Sequence, residues 1–282
     1  MRQSQAIAGL RETIDHFDVY FLDQFGVLHD GKRPYPGVVE ALEALHAAGR
    51  KLVILTNSGK RAAPNLERLV AMGVPRSAIH GVVSSGEVAW RGLRNGAFAG
   101  GLGAGRKVAV IGRTGDDYGL GGLDLVFVDT PDAADFILIL GSDSPKTSLN
   151  DYVESLRVAA ARRVPALCAN PDVWMLTSLG LCPAPGAIAR KYQDLGGEVL
   201  YIGKPHGAIY EGALALCPGV TKARVVAVGD SVAHDIRGAC DFGIASVLVR
   251  TGVLSGSSDE RLAELFKDER ATPTYLLPRF CW

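Results

Sequence analysis

The sequence predicts an α/β fold: a parallel sheet covered by helices, with a second α/β unit inserted into it. Three observations carry this expectation. Short apolar runs alternate with helix-like segments near both ends of the chain, the order that builds parallel sheets. A separate alternation of the same kind occupies the middle. The length, 282 residues, exceeds one typical domain and falls short of three.

The elements follow in order. VYFLD at 19–23 is a short apolar run that ends in an acid. In GVVEALEALHAAGR at 37–50, Val38, Leu42, Leu45 and Ala48 fall near helical spacing, and Gly49 is a stop signal. KLVILTNS at 51–58 is a second strand with polar residues at its end, and RAAPNLERLVAMG at 61–73 a second helix. The stretch from Asn95 to Gly105 reads as a loop. Its glycines miss the dinucleotide-binding spacing, and it precedes the strand KVAVIG instead of following one. Strands are expected at 123–130, 135–141 and 164–170, with a helix at 149–163, and Trp174 is expected in the core of this middle unit. From about Lys191 the first pattern resumes. EVLYIGK (198–204), RVVAVGDS (224–231) and IASVLVRTG (244–252) read as strands. Pro205 opens a helix to Leu216, and 258–273 is a charged surface helix. The apolar tail LLPRFCW docks on the core or on a partner.

Composition narrows the function. Thirty basic residues balance thirty acidic ones, so no global field favours nucleic acid or an anionic membrane. Cys168, Cys182, Cys217, Cys240 and Cys281 form no C-x-x-C pair, which argues against a disulfide framework or structural zinc and for a reduced, cytoplasmic setting. The first residues carry charge and lack a long apolar core, so no signal peptide is expected. No apolar stretch reaches membrane-spanning length.

Three apolar strands end in reactive polar residues, Asp23, Thr56 and Asp230, and a fourth ends at Lys204. In one parallel sheet all four converge beyond the carboxyl ends of the strands, where ligands bind in such folds. Paired carboxylates suit Mg2+, which prefers oxygen ligands. A lysine and a hydroxyl beside them suit phosphate oxygens, and the set suits phosphoryl transfer, where catalysis is positioning plus charge neutralisation.

These segments resemble the four motifs of haloacid-dehalogenase-superfamily (HAD) phosphatases of class IIA, over nearly the whole chain. DQFGVLHDG at 23–31 resembles the first motif, LVILTNSGK at 52–60 the second, GKP at 203–205 the third and VGDSVAHDIRGA at 228–239 the fourth. An Asn-Pro-Asp element of the class appears at Asn170, Pro171 and Asp172. The resemblance implies a Rossmann-like core of residues 1–84 and 191–282 and an inserted α/β cap of 85–190. It implies a Mg2+-dependent phosphatase of a small phosphorylated metabolite, sugar phosphates among them, acting through an aspartyl-phosphate. Asp23 is then the nucleophile, Thr56 and Lys204 hold the phosphoryl group, and Asp23, the Phe25 carbonyl, Asp230 and Asp235 serve the metal. Asn57, Ser58, Gly59, Asn170 and Asp172 are the implied substrate contacts, and a homodimer is plausible by analogy. His206 and His234 receive no ligand role.

The sequence departs from this pattern at Phe25. The family usually places there a second aspartate, which protonates the leaving oxygen and later activates water. A phenylalanine offers the metal its carbonyl but transfers no proton, and loss of a general acid/base costs about 100- to 10,000-fold. Three readings stay open. His29 or Asp30 supplies the proton; or the enzyme acts slowly or on good leaving groups; or the protein binds phosphorylated ligands without turnover.

Overall fold

The structure is a computed structural model that describes residues 4–98, 102–177 and 179–282. Part of the glycine-rich stretch expected as a loop, 99–101, lies outside the described residues, as do the first three of the amino-terminal segment.

In chain order the first elements are β1 (Gln5–Ala6), β2 (Val19–Leu22), α1 (Val38–Ala47), β3 (Lys51–Thr56), α2 (Ala62–Ala71) and β4 (Gly81–Ser84). Then come α3 (Ser85–Arg94), β5 (Arg106–Ile111), β6 (Leu125–Val128), β7 (Phe136–Ile139), α4 (Leu149–Ala161) and β8 (Ala166–Cys168). They are followed by β9 (Trp174–Thr177), β10 (Gly180–Pro183), α5 (Pro185–Asp194) and β11 (Val199–Tyr201). The chain closes with α6 (Gly207–Ala215), β12 (Val225–Gly229), α7 (Arg237–Phe242), β13 (Ala245–Val249), α8 (Asp259–Asp268) and β14 (Tyr275–Leu277). Two compact units result: Met1–Thr56, Ala63–Val83 and Lys204–Trp282 form one, and Asn57–Ala62 with Ser84–Gly203 the other.

The first unit holds a seven-stranded sheet in the order β1-β14-β13-β12-β2-β3-β4. β12, β2 and β3 pair in parallel at its centre, with Leu22 opposite Val228 on one side and Ile54 on the other. β2 and β12 are buried along their whole length, so both read as unbroken apolar runs, as strands covered on two faces do. Val38, Ala41, Leu42 and Leu45 of α1 face the same core as Leu22, Leu52 and Ile54. The carboxyl-terminal tail docks here too: Leu277 and Phe280 are buried in this cluster.

The second unit holds a five-stranded parallel sheet, β11-β8-β7-β5-β6, and the hairpin β9-β10. α4 opens on a capping box between Ser148 and Asp151, and its Tyr152 and Leu156 pack with Ile188 and Tyr192 of α5. Two expectations need correcting. The strand before Lys204 does not rejoin the first sheet: β11 pairs with β8, Val199 opposite Ala166. A three-residue strand after a helix carries no sequence mark of which sheet it enters. Trp174 is 60% exposed, not in the core; it sits on a two-stranded hairpin, which has little to bury a ring against. Among the described residues no helix is long and apolar enough to cross a membrane.

Candidate active site

The register of the central strands builds the site. Because Leu22 lies level with Val228 and Ile54, Asp23, Thr56 and Asp230 come off one edge of three adjacent strands. The Asp23 N–H still donates to the Val228 carbonyl at 2.9 Å, so the nucleophile candidate is fixed by the last rung of the ladder. This is the carboxyl edge of a parallel sheet, where strand order places β3 on one side of β2 and β12 on the other, the setting in which such folds bind ligands.

Lys204 enters from the segment after β11. Its ammonium donates to Asp23 Oδ1 and to Asp235 Oδ1, both at 2.6 Å. The lysine is 4% exposed. Burial alone would drive its proton off, but Asp23 and Asp235 outweigh that and hold its pKa well above the ordinary value. Asp235 is tied twice: its Oδ1 takes the lysine, and its Oδ2 accepts the Ser231 N–H at 3.1 Å. It rides on a π-helical turn, Val232–Ile236, whose first residues are capped by Ser231 accepting from His234 N–H.

Asp230 is buried, and burial first, then the charges of Asp23 and Asp235, push its pKa well up. Its Oδ2 accepts the Val253 N–H at 2.8 Å. Two glycines make room for that oxygen. A Cβ on Gly26 would lie 2.1 Å from it and one on Gly252 1.8 Å, and both glycines have positive φ, +88° and +57°. The Thr251 hydroxyl donates to the Gly26 carbonyl. Thr251, Gly252 and Val253 were missed in the sequence because 244–252 read as one strand; β13 ends at Val249, and the Thr-Gly turn just past it was the available signal.

One carboxylate oxygen from each of Asp23, Asp230 and Asp235 lies within 4.8 Å of the others. Three buried or half-buried carboxylates against one lysine leave negative charge in excess, which adds to burial in raising the pKa of Asp230. An all-oxygen set of this kind fits Mg2+, so the residues present are suited to the metal the family implies.

The segment leaving Asp23 is tightly folded. The Gln24 amide donates to Asn65 Oδ1 at 3.0 Å. The Gly26 N–H donates to the His29 carbonyl at 3.0 Å, and the Phe25 ring meets the His29 ring edge-on, centroids 5.8 Å apart. His29 is 1% exposed. Its Nδ1 accepts the Gly31 N–H at 3.0 Å, so the proton sits on Nε2, which has no partner. Burial, then the charge of Arg68, lowers its pKa to about 4. Asp30 Oδ1 accepts the backbone N–H groups of Lys32 and Arg33 at 2.8 and 2.9 Å, the duty of a turn residue.

The remaining expected residues belong to the second unit. Asn57 donates from Nδ2 to Asp172 Oδ1 at 2.8 Å, and the Asp172 N–H donates to Asn170 Oδ1 at 3.1 Å. The Asn-Pro-Asp element is thus bound to the residue that follows Thr56. Ser58 Oγ accepts from Lys60 N–H at 3.3 Å, and Gly59 lies so close to the Leu140 carbonyl that a Cβ would sit 2.1 Å from it. The same short segment continues into Arg61, which pairs with Glu87 at 2.7 Å and lies 3.8 Å over the Trp90 ring.

Comparison with known proteins settles the lineage. A family model described as haloacid dehalogenase-like hydrolase matches residues 20–124, and a HAD-hydrolase-like model matches 201–281. The chain belongs to the haloacid dehalogenase-like hydrolases. Human chronophin is 29% identical to this hydrolase over 87% of the chain and 85% of its own length. The 4-nitrophenylphosphatase of Schizosaccharomyces pombe is 26% identical over 94% and 92%. The crystal structure of a haloacid dehalogenase-like hydrolase from Brucella suis superposes with a TM-score of 0.84 at 29% identity, covering 97% of this chain and 99% of its own. The relatives named for an activity are phosphatases, and the Brucella suis hydrolase shares the fold over nearly the whole chain.

Proposed function

We propose that this hydrolase is a Mg2+-dependent phosphatase that releases phosphate from a small phosphorylated metabolite through an aspartyl-phosphate on Asp23. The observation that carries the reading is the Lys204 ammonium held at 2.6 Å from both Asp23 and Asp235, beside buried Asp230, at the carboxyl edge of a parallel sheet. When bound, Mg2+ supplies charge neutralisation between the carboxylates and the phosphoryl oxygens; Asp23, Asp230 and the Phe25 carbonyl would hold it, with Asp235 in support.

The protein's own residues do the rest. Asp23, anchored by its backbone hydrogen bond, presents a carboxylate oxygen for in-line attack on phosphorus. Lys204 orients that carboxylate and adds positive charge where the phosphoryl oxygens gather. Thr56 offers a hydroxyl to the same oxygens. Covalent transfer divides one displacement into two easier ones. Asn57, Ser58 and Gly59, with Asn170 and Asp172, are the proposed substrate contacts, on the strength of the family resemblance.

The geometry of His29 and Asp30 supports the reading in which neither donates the proton. His29 is sealed with its exchangeable proton buried, and Asp30 is engaged in a turn. Substrates whose leaving groups depart as stable anions are then favoured, which agrees with a relative named for 4-nitrophenyl phosphate. Phe25 also supports a second reading, a phosphate-binding protein without turnover. Hydrolysis of 4-nitrophenyl phosphate by wild type and Asp23→Asn, with and without Mg2+, decides between them. Multiple turnovers that need both the metal and Asp23 are expected; their absence in folded protein would favour the second reading.

A further inference from the structure

The missing acid limits which groups leave phosphorus in the first half-reaction, and by the same chemistry it limits which groups arrive in the second. Along the segment from Asp23 to Gly31 no side chain is placed to carry a proton to or from the reacting oxygen. Phe25 has none to give. The Gln24 amide is committed to Asn65 at 3.0 Å. The His29 ring is 1% exposed, with Nδ1 accepting from Gly31 and Nε2 enclosed. Asp30 turns its carboxylate onto the backbone of Lys32 and Arg33.

In the first half-reaction an Asp23 oxygen bonds phosphorus, the bond from phosphorus to the leaving oxygen breaks, and that oxygen departs with the electron pair. With no proton offered from this segment, the departing group must be stable as an anion. In the second half-reaction an acceptor oxygen bonds phosphorus and the bond from phosphorus to Asp23 breaks, restoring the carboxylate. Water must lose a proton to complete this step. A carboxylate arrives already deprotonated and has none to lose. The aspartyl-phosphate is itself an acyl phosphate, so passing its phosphoryl group to another carboxylate exchanges one bond for another of the same kind. Lys204 donates to Asp23 Oδ1 and Asp235 Oδ1, both at 2.6 Å, and stays beside the phosphoryl group through both halves.

We propose that this chain is also an acyl-phosphate:carboxylate phosphotransferase, exchanging a phosphoryl group between carboxylates through Asp23 faster than it releases the group to water, because Phe25 stands where a proton-transferring side chain would serve water. This rests on the phosphatase reading of the same site and extends it to a substrate class, small acyl phosphates, and to a second acceptor.

The test is isotope exchange with the full chain and Mg2+. Acetyl phosphate is the donor and labelled acetate the acceptor, and label entering acetyl phosphate is compared with net phosphate release. Exchange at least about tenfold faster than release is expected, given the scale of a lost general base, and it should vanish in Asp23→Asn. Phe25→Asp should raise phosphate release and lower the ratio of exchange to release. Asp23-dependent release without label incorporation would overturn the exchange proposal and leave the phosphatase standing. Incorporation that survives in Asp23→Asn would overturn it as well. No Asp23-dependent reaction with either acetyl phosphate or 4-nitrophenyl phosphate would overturn both.

Discussion

At the scale of single residues, the site depends on close approach as much as on charge. Gly26 and Gly252 clear the space that one oxygen of Asp230 occupies. Gly252→Ala should therefore displace Asp230 or the turn that carries it. Strain of this kind costs about 1–3 kcal/mol, so Mg2+ affinity should fall by about 5- to 150-fold; titration calorimetry with Mg2+ reads it directly, and unchanged affinity would show that the cradle is not needed. Phe25→Asp carries the opposite expectation. It restores a proton-transfer group and should speed hydrolysis of alkyl phosphates by about 100-fold or more, measured as phosphate release from glycerol phosphate. Asp23, Thr56 and Asp230 were legible in the sequence because each ends an apolar run, and parallel strands deliver such residues to one edge. The commitment of His29 to the Gly31 amide was not legible: the side chain of a histidine beside a motif reads as available until its hydrogen bonds are known.

At the scale of elements, α3 is tied to the segment after β3 through one buried acid. Glu87 is 9% exposed and holds Arg61 at 2.7 Å and Arg91 at 3.0 Å. Burial works to raise its pKa, but the Arg61 hydrogen bond, the Ala62 N–H and Arg91 prevail and bring it to about 2, below its ordinary value of 4.5. A depressed carboxylate contributes stability that is present above about pH 4.5 and lost as the pH falls toward 2. Glu87→Gln should lower stability at neutral pH by about 1–3 kcal/mol. Thermal melts across that pH window should show a flatter acid limb in the variant than in wild type, and identical limbs would refute the assignment. In the first unit, Leu42→Ala in α1 removes a fully buried side chain facing Leu22 and Ile54 and should cost about 2–5 kcal/mol by urea unfolding. Most elements were readable from periodicity. The fate of β11 was not, since pairing partners are a tertiary choice that three residues, the middle one exposed, do not encode.

At the scale of the whole molecule, each α/β unit has hydrophobic clusters of its own, and the three clustered carboxylates and Lys204 all belong to the first unit. The division was visible in the sequence as two alternations, but the exchange of 57–62 into the second unit was not: polar residues after a strand look like its cap until Asn57, Lys60 and Arg61 are seen bonded to Asp172, Asp116 and Glu87. Ligand linkage follows from the location of the acids. Mg2+ at about 100 times its dissociation constant should stabilise the protein by about 2.7 kcal/mol, seen as a raised melting temperature that Asp230→Asn abolishes. The central claim, a phosphatase that works through Asp23 without a proton donor, is tested most directly by rates across phosphate monoesters of increasing leaving-group pKa, from nitrophenyl to alkyl, with Mg2+ present. The account predicts a steep fall in rate as that pKa rises, with no reaction in Asp23→Asn. A flat series, or activity that survives in Asp23→Asn, would contradict it.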